Sequence, residues 1–487
     1  MRLPARIAAL TALAALAPAA PVWPLGPAAA RAATWRVPAV RGAAAAVLSR
    51  AEAGDTLLLA RGVHGGPLTV ARRVVLRGEP GAVIDGEGAG SVVTILAGGV
   101  RVERLTLRRS GDDTQGLDAG VRLASSPGVR LSALRIEDVR YGIAAERCDS
   151  LVVEGCGLTG RVVPSIEAAP EMDVAAGNGI HLWYSRGARV HDSVIRSFMD
   201  GVYLSFADGI TIEGNTSAGN GRYGLHTMYC QDNRIASNRF VGNIAGCAIM
   251  FSNHLDLARN DFMHNRGPRT YGILLRDCSD GFFHENRLVD NTVAVFMDNS
   301  NRNRLHGNLI QDDGWGIILF SSCAGNEFAR NDFVNADYPV ALDMRRSDNR
   351  FDDGVSGNYW SASLSYDLNA DGIADVPYYP VSAFAFLSKQ FPDLAIFSES
   401  PAANALTLAE RTIPALRPSE AVDRFPLARP AGLGVGTARG DDARTASDRR
   451  GAARGAPARS RPAAAGFLLL AGAGVAGLMR ARSRGRG

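Results

Sequence analysis

The feature that most constrains this chain is a repeat of about 22 residues that runs through its central part. In each repeat a glycine, replaced once by alanine, opens a short apolar stretch, and the openings are 22 or 23 residues apart except at intervals of 37 and 26. These opening residues are Gly120, Gly142, Gly179, Gly201, Gly224, Gly246, Gly272, Ala294 and Gly316. Fourteen residues later lies a second column, made of Asn215, Asn238, Asn260, Asn286 and Asn308, with Asn331 one residue late. A fixed period of this length is typical of solenoids, in which each repeat packs on its neighbours.

The apolar residues within each repeat alternate as they do in a strand with one buried face. The first and third positions after the opening residue are mostly apolar, as in Val121 and Leu123 or Val202 and Leu204, so these side chains should point inward. The second and fourth positions should point outward. With about three short strands per repeat, the sequence predicts an all-β fold, a right-handed parallel β-helix solenoid of about 22-residue rungs with a short helical C-terminal extension. Each Asn should stack on its counterparts in adjacent rungs.

Five of the six cysteines occupy positions of the repeat, and only Cys323 lacks a clear column. Cys148, Cys230 and Cys278 occupy a column of small residues six positions after the opening residue, Cys247 lies at an inward position, and Cys156 replaces an Asn of the second column. Cys230 and Cys278 are two rungs apart, roughly 9–10 Å at ordinary strand spacing, which is too far for a disulfide. We therefore expect buried thiols that serve packing.

The two ends of the chain differ from the repeat region. Arg2 and Arg6 precede an apolar run, and small residues follow near Ala32, as in a secretory signal peptide. Near the other end, an uncharged apolar stretch followed by arginines resembles a short membrane anchor with its arginines on the cytoplasmic side. The predicted organisation is a signal peptide at 1–32, the β-helix at 33–356, an Asp-rich loop and helical extension at 357–430, a disordered linker at 431–462 and a candidate C-terminal membrane anchor with an Arg tail at 463–487.

The charge of the chain is unevenly distributed. The formal net charge is +4, but the segment from Ala431 onward has eleven Arg against three Asp, and the signal segment adds three more Arg. The remaining core therefore carries about −7. Nucleic-acid-binding proteins concentrate positive charge on their binding face, so we expect no nucleic acid partner.

Several short segments resemble one family, the NosD proteins, over about residues 54–430. The segments that carry the resemblance are GNGIHLW at 177–183, RYGLH at 222–226, GNYWS at 357–361 and DLNADGIADVPY at 367–378. The family usually has an acidic residue directly after the third of these segments, where this chain has Ala362.

The resemblance implies a periplasmic protein without catalytic activity. NosD proteins are β-helical accessories for assembling the copper centre of nitrous oxide reductase. They form the extracytoplasmic part of an ABC transporter assembly, together with its membrane subunit and its ATPase. The implied partners are therefore these two subunits, the reductase and a copper chaperone lipoprotein.

An unusual set of side chains lies at the outward positions of the first strand in consecutive rungs. These residues, which we call the outward stripe, are His181, Trp183, Tyr203, His226, Met228 and Met250. Exposed aromatic and Met side chains favour a partner-docking surface. His226 with two thioethers also suits transient binding of Cu(I). A third alternative is coverage by a loop, since about fifteen extra residues precede Gly179, Met172 among them, and four precede Gly272.

A run of acidic and amide residues near the C-terminus predicts a second metal site. Asp367, Asn369 and Asp371 are spaced as in the opening of a calcium loop, with Asp375 as a further candidate ligand. The twelfth position is Tyr378 instead of a bidentate Glu, so the loop is not an EF-hand. The alternative is an Asx-rich turn without an ion. If calcium binds here, its role is structural.

The main rival function is that of a β-helical polysaccharide-active enzyme, a lyase or an epimerase. Such chemistry needs paired carboxylates, or a carboxylate with a basic catalyst, on one outward face. Here the outward columns hold mainly apolar, His and Met residues, the carboxylates are scattered, and the chain contains a single lysine, Lys389. We therefore expect a protein that is not an enzyme.

Overall fold

The computed structural model describes residues 32–161, 177–363, 366–391, 400–413 and 417–432, together with Leu394 and Phe397. Within these residues the chain winds through three sheets of 13, 13 and 12 strands, and consecutive strands of each sheet pair in parallel. One circuit of the three sheets is one rung. This architecture confirms the parallel β-helix that the repeat predicts.

Each rung visits the sheets in the order A, B, C. Sheet A contains Thr34–Val37, Thr56–Leu59, Val75–Gly78, Arg101–Glu103, Arg130–Ser132, Val152–Glu154, Arg189–His191, Thr211–Glu213, Arg234–Ala236, Asp256–Ala258, Phe282–His284, Arg304–His306 and Glu327–Ala329. Sheet B contains Gly62–Gly65, Ala82–Asp85, Thr106–Arg108, Arg135–Glu137, Gly157–Thr159, Val194–Arg196, Thr216–Ala218, Arg239–Val241, Asp261–Met263, Arg287–Val289, Leu309–Gln311, Asp332–Val334 and Tyr359–Trp360. Sheet C contains Leu68–Val70, Val93–Ile95, Ala119–Ala124, Tyr141–Glu146, Ile180–Trp183, Asp200–Ser205, Tyr223–Met228, Ala245–Met250, Tyr271–Arg276, Val293–Asp298, Trp315–Leu319 and Tyr338–Leu342.

The register of sheet C shows why the glycine column exists. Val202 pairs with Leu225 and Leu225 with Cys247, and all three side chains are buried in the core. Gly224 directly precedes one of these inward positions, where a Cβ atom would lie 2.6 Å from the carbonyl oxygen of Gly246. Glycine thus allows the backbone of one rung to approach the next closely.

All six cysteines are buried and unpaired, as the sequence predicts. Burial raises the pKa of the Cys156 and Cys230 thiols to about 11, so these thiols stay protonated near neutral pH. Their low thiolate population agrees with a packing role.

The asparagines of the second column form a continuous hydrogen-bonded ladder. From Asn238 onward, each Asn Oδ1 accepts the backbone N–H of the preceding Asn at 2.9–3.1 Å and its side-chain amide at 2.8–3.0 Å. The ladder consists of Asn215, Asn238, Asn260, Asn286, Asn308, Asn331 and Asn358. The stacking predicted for the first five members is therefore confirmed, and it extends over two further rungs.

Both ends of the solenoid are covered by other parts of the chain. Helix α1, Ala43–Arg50, contacts the first strands at one end. At the other end, α2, Ala383–Gln390, packs on Tyr338–Leu342 and on α3, Pro401–Thr412. These helices confirm the helical C-terminal extension, and α3 begins at Pro401 because Ser400 caps it and Pro401 suits its first turn.

The segment 417–432 crosses the C-terminal end of the solenoid and completes the Asn ladder. Asp423 accepts the backbone N–H of Asn358 at 2.7 Å and the indole N–H of Trp360 at 2.8 Å. In the described part of the chain, no helix is both long and apolar enough to cross a membrane. The predicted signal peptide and C-terminal membrane anchor lie outside the described residues.

Candidate functional site

The outward stripe lies on sheet C, where consecutive rungs bring its members into register. His181 pairs with Tyr203 and Tyr203 with His226, and both neighbouring ring pairs have centroids 4.8 Å apart. Met228 pairs with Met250 one rung further on. The structure therefore places the predicted residues side by side along one face.

The side chains of the outward stripe are less exposed than the alternation of inward and outward strand positions predicts. Trp183 is 37% exposed, whereas His226 is only 5% exposed, and the others are half-buried. The prediction of an exposed His226 was wrong, because the rings of Tyr203 and Tyr223 pack against its imidazole. Tyr141 and Tyr223, each directly before an opening glycine, also place their rings against His181 and His226.

A buried carboxylate orients His226. Asp200 is fully buried and accepts bonds from Arg222 Nε at 2.8 Å, Arg222 Nη2 at 2.5 Å and His226 Nδ1 at 3.0 Å. Burial alone would raise the pKa of Asp200, but the bonds and charges of Arg222 and His226 lower it to about 2. An ionised carboxylate can only accept, so His226 carries its proton on Nδ1. Asp200 and Arg222 are functional candidates that our sequence reasoning missed.

Two imidazole nitrogens on this face have no hydrogen-bond partner among the described residues. They are His226 Nε2 and His181 Nδ1, and both atoms are buried. Burial lowers the pKa of His181 to about 4, with Arg122 and His226 adding to the effect and Asp200 opposing it. His181 is therefore neutral near pH 7 and can act as a hydrogen-bond acceptor or a metal ligand.

The thioethers lie beside these rings. The Tyr203 hydroxyl donates to Met228 Sδ at 3.6 Å, so the aromatic and Met columns are in direct contact. The described residues contain no group of three or more His, Cys, Asp or Glu side chains placed to hold a metal ion.

Next to the stripe lies a column of aromatic residues that our sequence reasoning missed. Four consecutive rungs have an aromatic residue five positions after the opening glycine, and neighbouring rings stack at 4.8–5.0 Å with interplanar angles of 9–12°. This aromatic ladder consists of Tyr184, Phe206, Tyr229 and Phe251. The first three are 40–44% exposed. The repeat itself contains this signal, because the aromatic position recurs at a fixed distance from the opening glycine.

The aromatic ladder occupies a backbone conformation that bulky residues rarely adopt. Its four φ angles lie between 49° and 55°, in the left-handed region. In other rungs the same position holds residues such as Ser125, Asp277 and Asn299. A left-handed backbone costs an ordinary residue roughly 1–2 kcal/mol, and Asn or Asp tolerates it better. Stacking between neighbouring rings offsets part of this cost, and the exposed ring edges remain open to a partner.

The carboxylates on the outward face of sheet C are engaged in ion pairs. Glu146 lies 2.7 Å from an Arg147 nitrogen and 3.7 Å from an Arg122 nitrogen, and Asp298 lies 3.5 Å from Arg276. They are not adjacent to each other in the rungs. This arrangement does not supply the paired carboxylates that polysaccharide hydrolysis requires.

The Asp-rich loop uses its oxygens within the loop itself. Asp367 accepts the backbone N–H groups of Asp371 and Gly372, and Asp375 accepts that of Leu368 at 2.7 Å. Asn369 also accepts the N–H of Asp371. These bonds describe an Asx-rich turn, and calcium binding by the four predicted ligands stays a prediction.

The described fold and surface define a class of protein, the right-handed parallel β-helix. Among solved structures, the chain is similar to the Dettilon tailspike protein, with 15% identity and a TM-score of 0.50 over 64% of this chain and 66% of the other. It is also similar to the A-module of an Azotobacter vinelandii mannuronan C-5 epimerase, with 15% identity and a TM-score of 0.50 over 61% of this chain and 91% of the other. These likenesses show the fold alone.

Sequence relatives specify the family within that class. Residues 165–364 match the family described as "Periplasmic copper-binding protein (NosD)". A Pseudomonas aeruginosa protein named "Probable ABC transporter binding protein NosD" is 29% identical over 78% of this chain and 90% of its own length. A Stutzerimonas stutzeri protein of the same name is 28% identical over 76% and 86%. By these matches the chain is similar to the NosD family over about three quarters of its length.

Proposed function

We propose that this chain is a non-catalytic, extracytoplasmic component of an ABC transporter assembly that supports copper-centre maturation of nitrous oxide reductase by docking partner proteins. The names of the relatives, which describe binding to an ABC transporter, support the transporter association. The description of the family as periplasmic and copper-binding supports the location and the link to copper. The proposed partners are the membrane subunit, the ATPase, the reductase and a copper chaperone lipoprotein.

The observation that carries the docking proposal is the aromatic ladder beside Trp183. Phe206 and Tyr229 each have a ring stacked on both faces, so it is ring edges and not ring faces that remain open to a partner. Sugar binding by stacking needs exposed ring faces, and this surface offers few. Aromatic anchors of this kind commonly carry the binding energy of protein interfaces.

The proposal is tested by replacing side chains on the outward face, so that the core is left intact. Replacing Trp183 and Met228 with Ser should leave the fold and melting temperature nearly unchanged and abolish maturation of the copper centre. A second variant, Phe206→Asn with Tyr229→Asn, should also fold, because Asn suits a left-handed backbone, and should lose partner capture. The measurements are copper content of the reductase from cells expressing each variant and pull-down of the transporter subunits.

A matched control is Val63→Ser, which removes an apolar side chain that is 49% exposed on sheet B, away from the ladder. It should behave as the unsubstituted chain does. Full maturation of the copper centre and normal capture of the transporter subunits by both double variants would refute the docking surface.

A further inference from the structure

The C-terminal end of the solenoid exposes more apolar surface than the rest of the described chain. Nine large hydrophobic side chains of the described residues are more than half exposed, and only Val40 and Leu96 of these lie before residue 355. The exposed apolar side chains are therefore concentrated at one end of the molecule. Surface of this kind usually marks a contact with a partner or a membrane.

Helix α3 turns an apolar side chain outward and an acidic one inward. Leu408 is 65% exposed, whereas Glu410 is buried and its carboxylate accepts the backbone N–H of Ala383 in α2. A helix at the surface of a soluble protein ordinarily does the opposite. The arrangement indicates that the outward side of α3 is not made to face water.

The same holds for the whole segment from residue 391 to residue 413. Every residue of this segment that is both described and exposed is apolar, and the smaller ones are Pro401, Ala402 and Ala405. The large ones, which we call the C-terminal apolar face, are Phe391, Phe397, Leu408 and Ile413, and they are 50–65% exposed. They lie on α3, at the end of α2 and in the connection between these helices.

The position where the chain leaves the described residues favours a lipid surface as the occupant of this face. The backbone N–H of Ala431 donates to Asp332 at 2.8 Å, in the last strand but one of sheet B. Residues 433–462 of the predicted linker follow and lead to the predicted anchor at 463–487. A flexible linker of this length spans roughly 30 Å. An anchored chain would thus keep its C-terminal end near the bilayer, with the first strand of sheet A roughly 55–60 Å further along the solenoid.

The charge of the linker is complementary to a lipid surface. Residues 433–462 contain seven Arg and three Asp. Basic segments next to a membrane are attracted to anionic headgroups. Apolar side chains on a helix together with nearby positive charge are typical of proteins that associate with the membrane interface.

We propose that the C-terminal apolar face rests on the surface of a lipid bilayer, with its four side chains at the boundary between headgroups and acyl chains. This contact goes beyond the proposed function and uses a different surface. The strands that carry the aromatic ladder are four to seven strands away from Tyr338–Leu342 in sheet C, roughly 20–35 Å at ordinary strand spacing. A protein seated on the aromatic ladder and a lipid surface under the C-terminal apolar face are therefore compatible.

The test places a fluorescent probe on this face in the full chain. All six native cysteines are buried, so a single cysteine introduced by Leu408→Cys can be labelled selectively with the environment-sensitive fluorophore NBD. Protein-free vesicles of phosphatidylethanolamine and phosphatidylglycerol should shift its emission to the blue. Quenching by iodide should fall roughly threefold or more, because the probe leaves water for the membrane interface.

The matched control carries the same probe at Leu96→Cys. Leu96 is 51% exposed and follows the strand Val93–Ile95, which is ten strands away from Tyr338–Leu342 in sheet C, roughly 45–50 Å. Neither the emission nor the iodide quenching of this probe should change when vesicles are added. An equal change at both positions would overturn the assignment to the C-terminal end.

A second pair of variants tests whether the apolar side chains cause the contact. In the chain labelled at position 408, Phe397→Ser with Ile413→Ser should reduce the blue shift, because less apolar surface enters the lipid. Both side chains are at least half exposed, so the melting temperature should stay unchanged. Val40→Ser in the same labelled chain removes a side chain that is 60% exposed elsewhere and should have no effect.

The other possible occupants give different results. A probe at position 408 that is shielded before vesicles are added would mean that the segment 463–479 or a second copy of the chain covers the face, and sedimentation velocity separates these two. Shielding that appears only when the transporter subunits are present in the vesicles would assign the face to a protein. A chain that floats with protein-free vesicles while the probe stays accessible to iodide would show that the tail alone binds the membrane. Each of these results, like a chain that does not float with the vesicles, would refute the lipid contact.

Discussion

Asparagine and aspartate have different places in the ladders that run along the solenoid. An Asn inside a ladder donates to one neighbour and accepts from another, so every amide group is satisfied. The last member has no further rung to donate to, and a carboxylate, which only accepts, suits that place. Asp423 ends the ladder of Asn358. A second ladder, which consists of Asn220, Asn243, Asn265 and Asn291, ends at Asp313.

At the scale of a single residue, His181 should make the stability of the folded protein depend on pH. Its pKa is about 4 in the folded protein against an ordinary 6.5, so the folded state binds fewer protons than the unfolded state between these values. The free energy of unfolding should therefore fall as the pH decreases from 6.5 to 4. The decrease is about 3 kcal/mol if the full difference in the pKa of His181 contributes.

This prediction is checked by chemical unfolding of the chain and of His181→Gln at pH 7 and pH 4.5. Gln does not titrate, so the variant should lose less stability over this range. Equal losses in the two proteins would show that His181 does not cause the dependence.

Among the elements, the strands of sheet C differ from those of sheets A and B because their outward faces are also apolar. A second cluster, Ala245, Tyr271 and Val293 with partly buried neighbours, lies on that face outside the main core. Near the C-terminal end, α2 covers the last strand of this sheet, where Phe384 approaches Tyr338. Sheet C therefore makes apolar contacts on its outward face as well as in the core, and its last strand also contacts α2.

The Asp-rich loop is an element whose dependence on calcium can be measured. The calcium prediction expects the unsubstituted chain to melt at a higher temperature in calcium buffer than in chelator, since a ligand that binds only the folded state stabilises it. Asp371→Ala should abolish that difference. Equal melting of the unsubstituted chain in both buffers would show that the hydrogen bonds of the turn suffice without an ion.

For the molecule as a whole, the enzymatic alternative can be tested directly. The outward carboxylates of sheet C are paired with arginines, and the fold likeness to an epimerase module is at 15% identity. We therefore expect no unsaturated or epimerised products when the chain is incubated with uronate polymers. Product formation that is lost in Glu146→Gln would instead support the enzymatic alternative.

The sequence by itself determined the rung length, the inward positions, the Asn ladder and the buried state of the cysteines. These properties follow from a period of 22 residues and a strand alternation of two, because residues one period apart must lie side by side. The same periodicity placed His181, Tyr203 and His226 along one column, which the register of sheet C reproduces.

Only the tertiary structure decided which of those side chains are open to solvent. His226 is buried because Tyr203 and Tyr223 are large and come from neighbouring columns, and Asp200 reaches it from an adjacent rung. The stacking of the aromatic ladder and the capping of the Asn ladder by Asp423, 65 residues beyond Asn358, are likewise three-dimensional. Periodicity tells which residues are neighbours along a column. Whether a side chain is covered or hydrogen-bonded depends on the volumes and directions of side chains in neighbouring columns. A periodic sequence pattern does not contain that information.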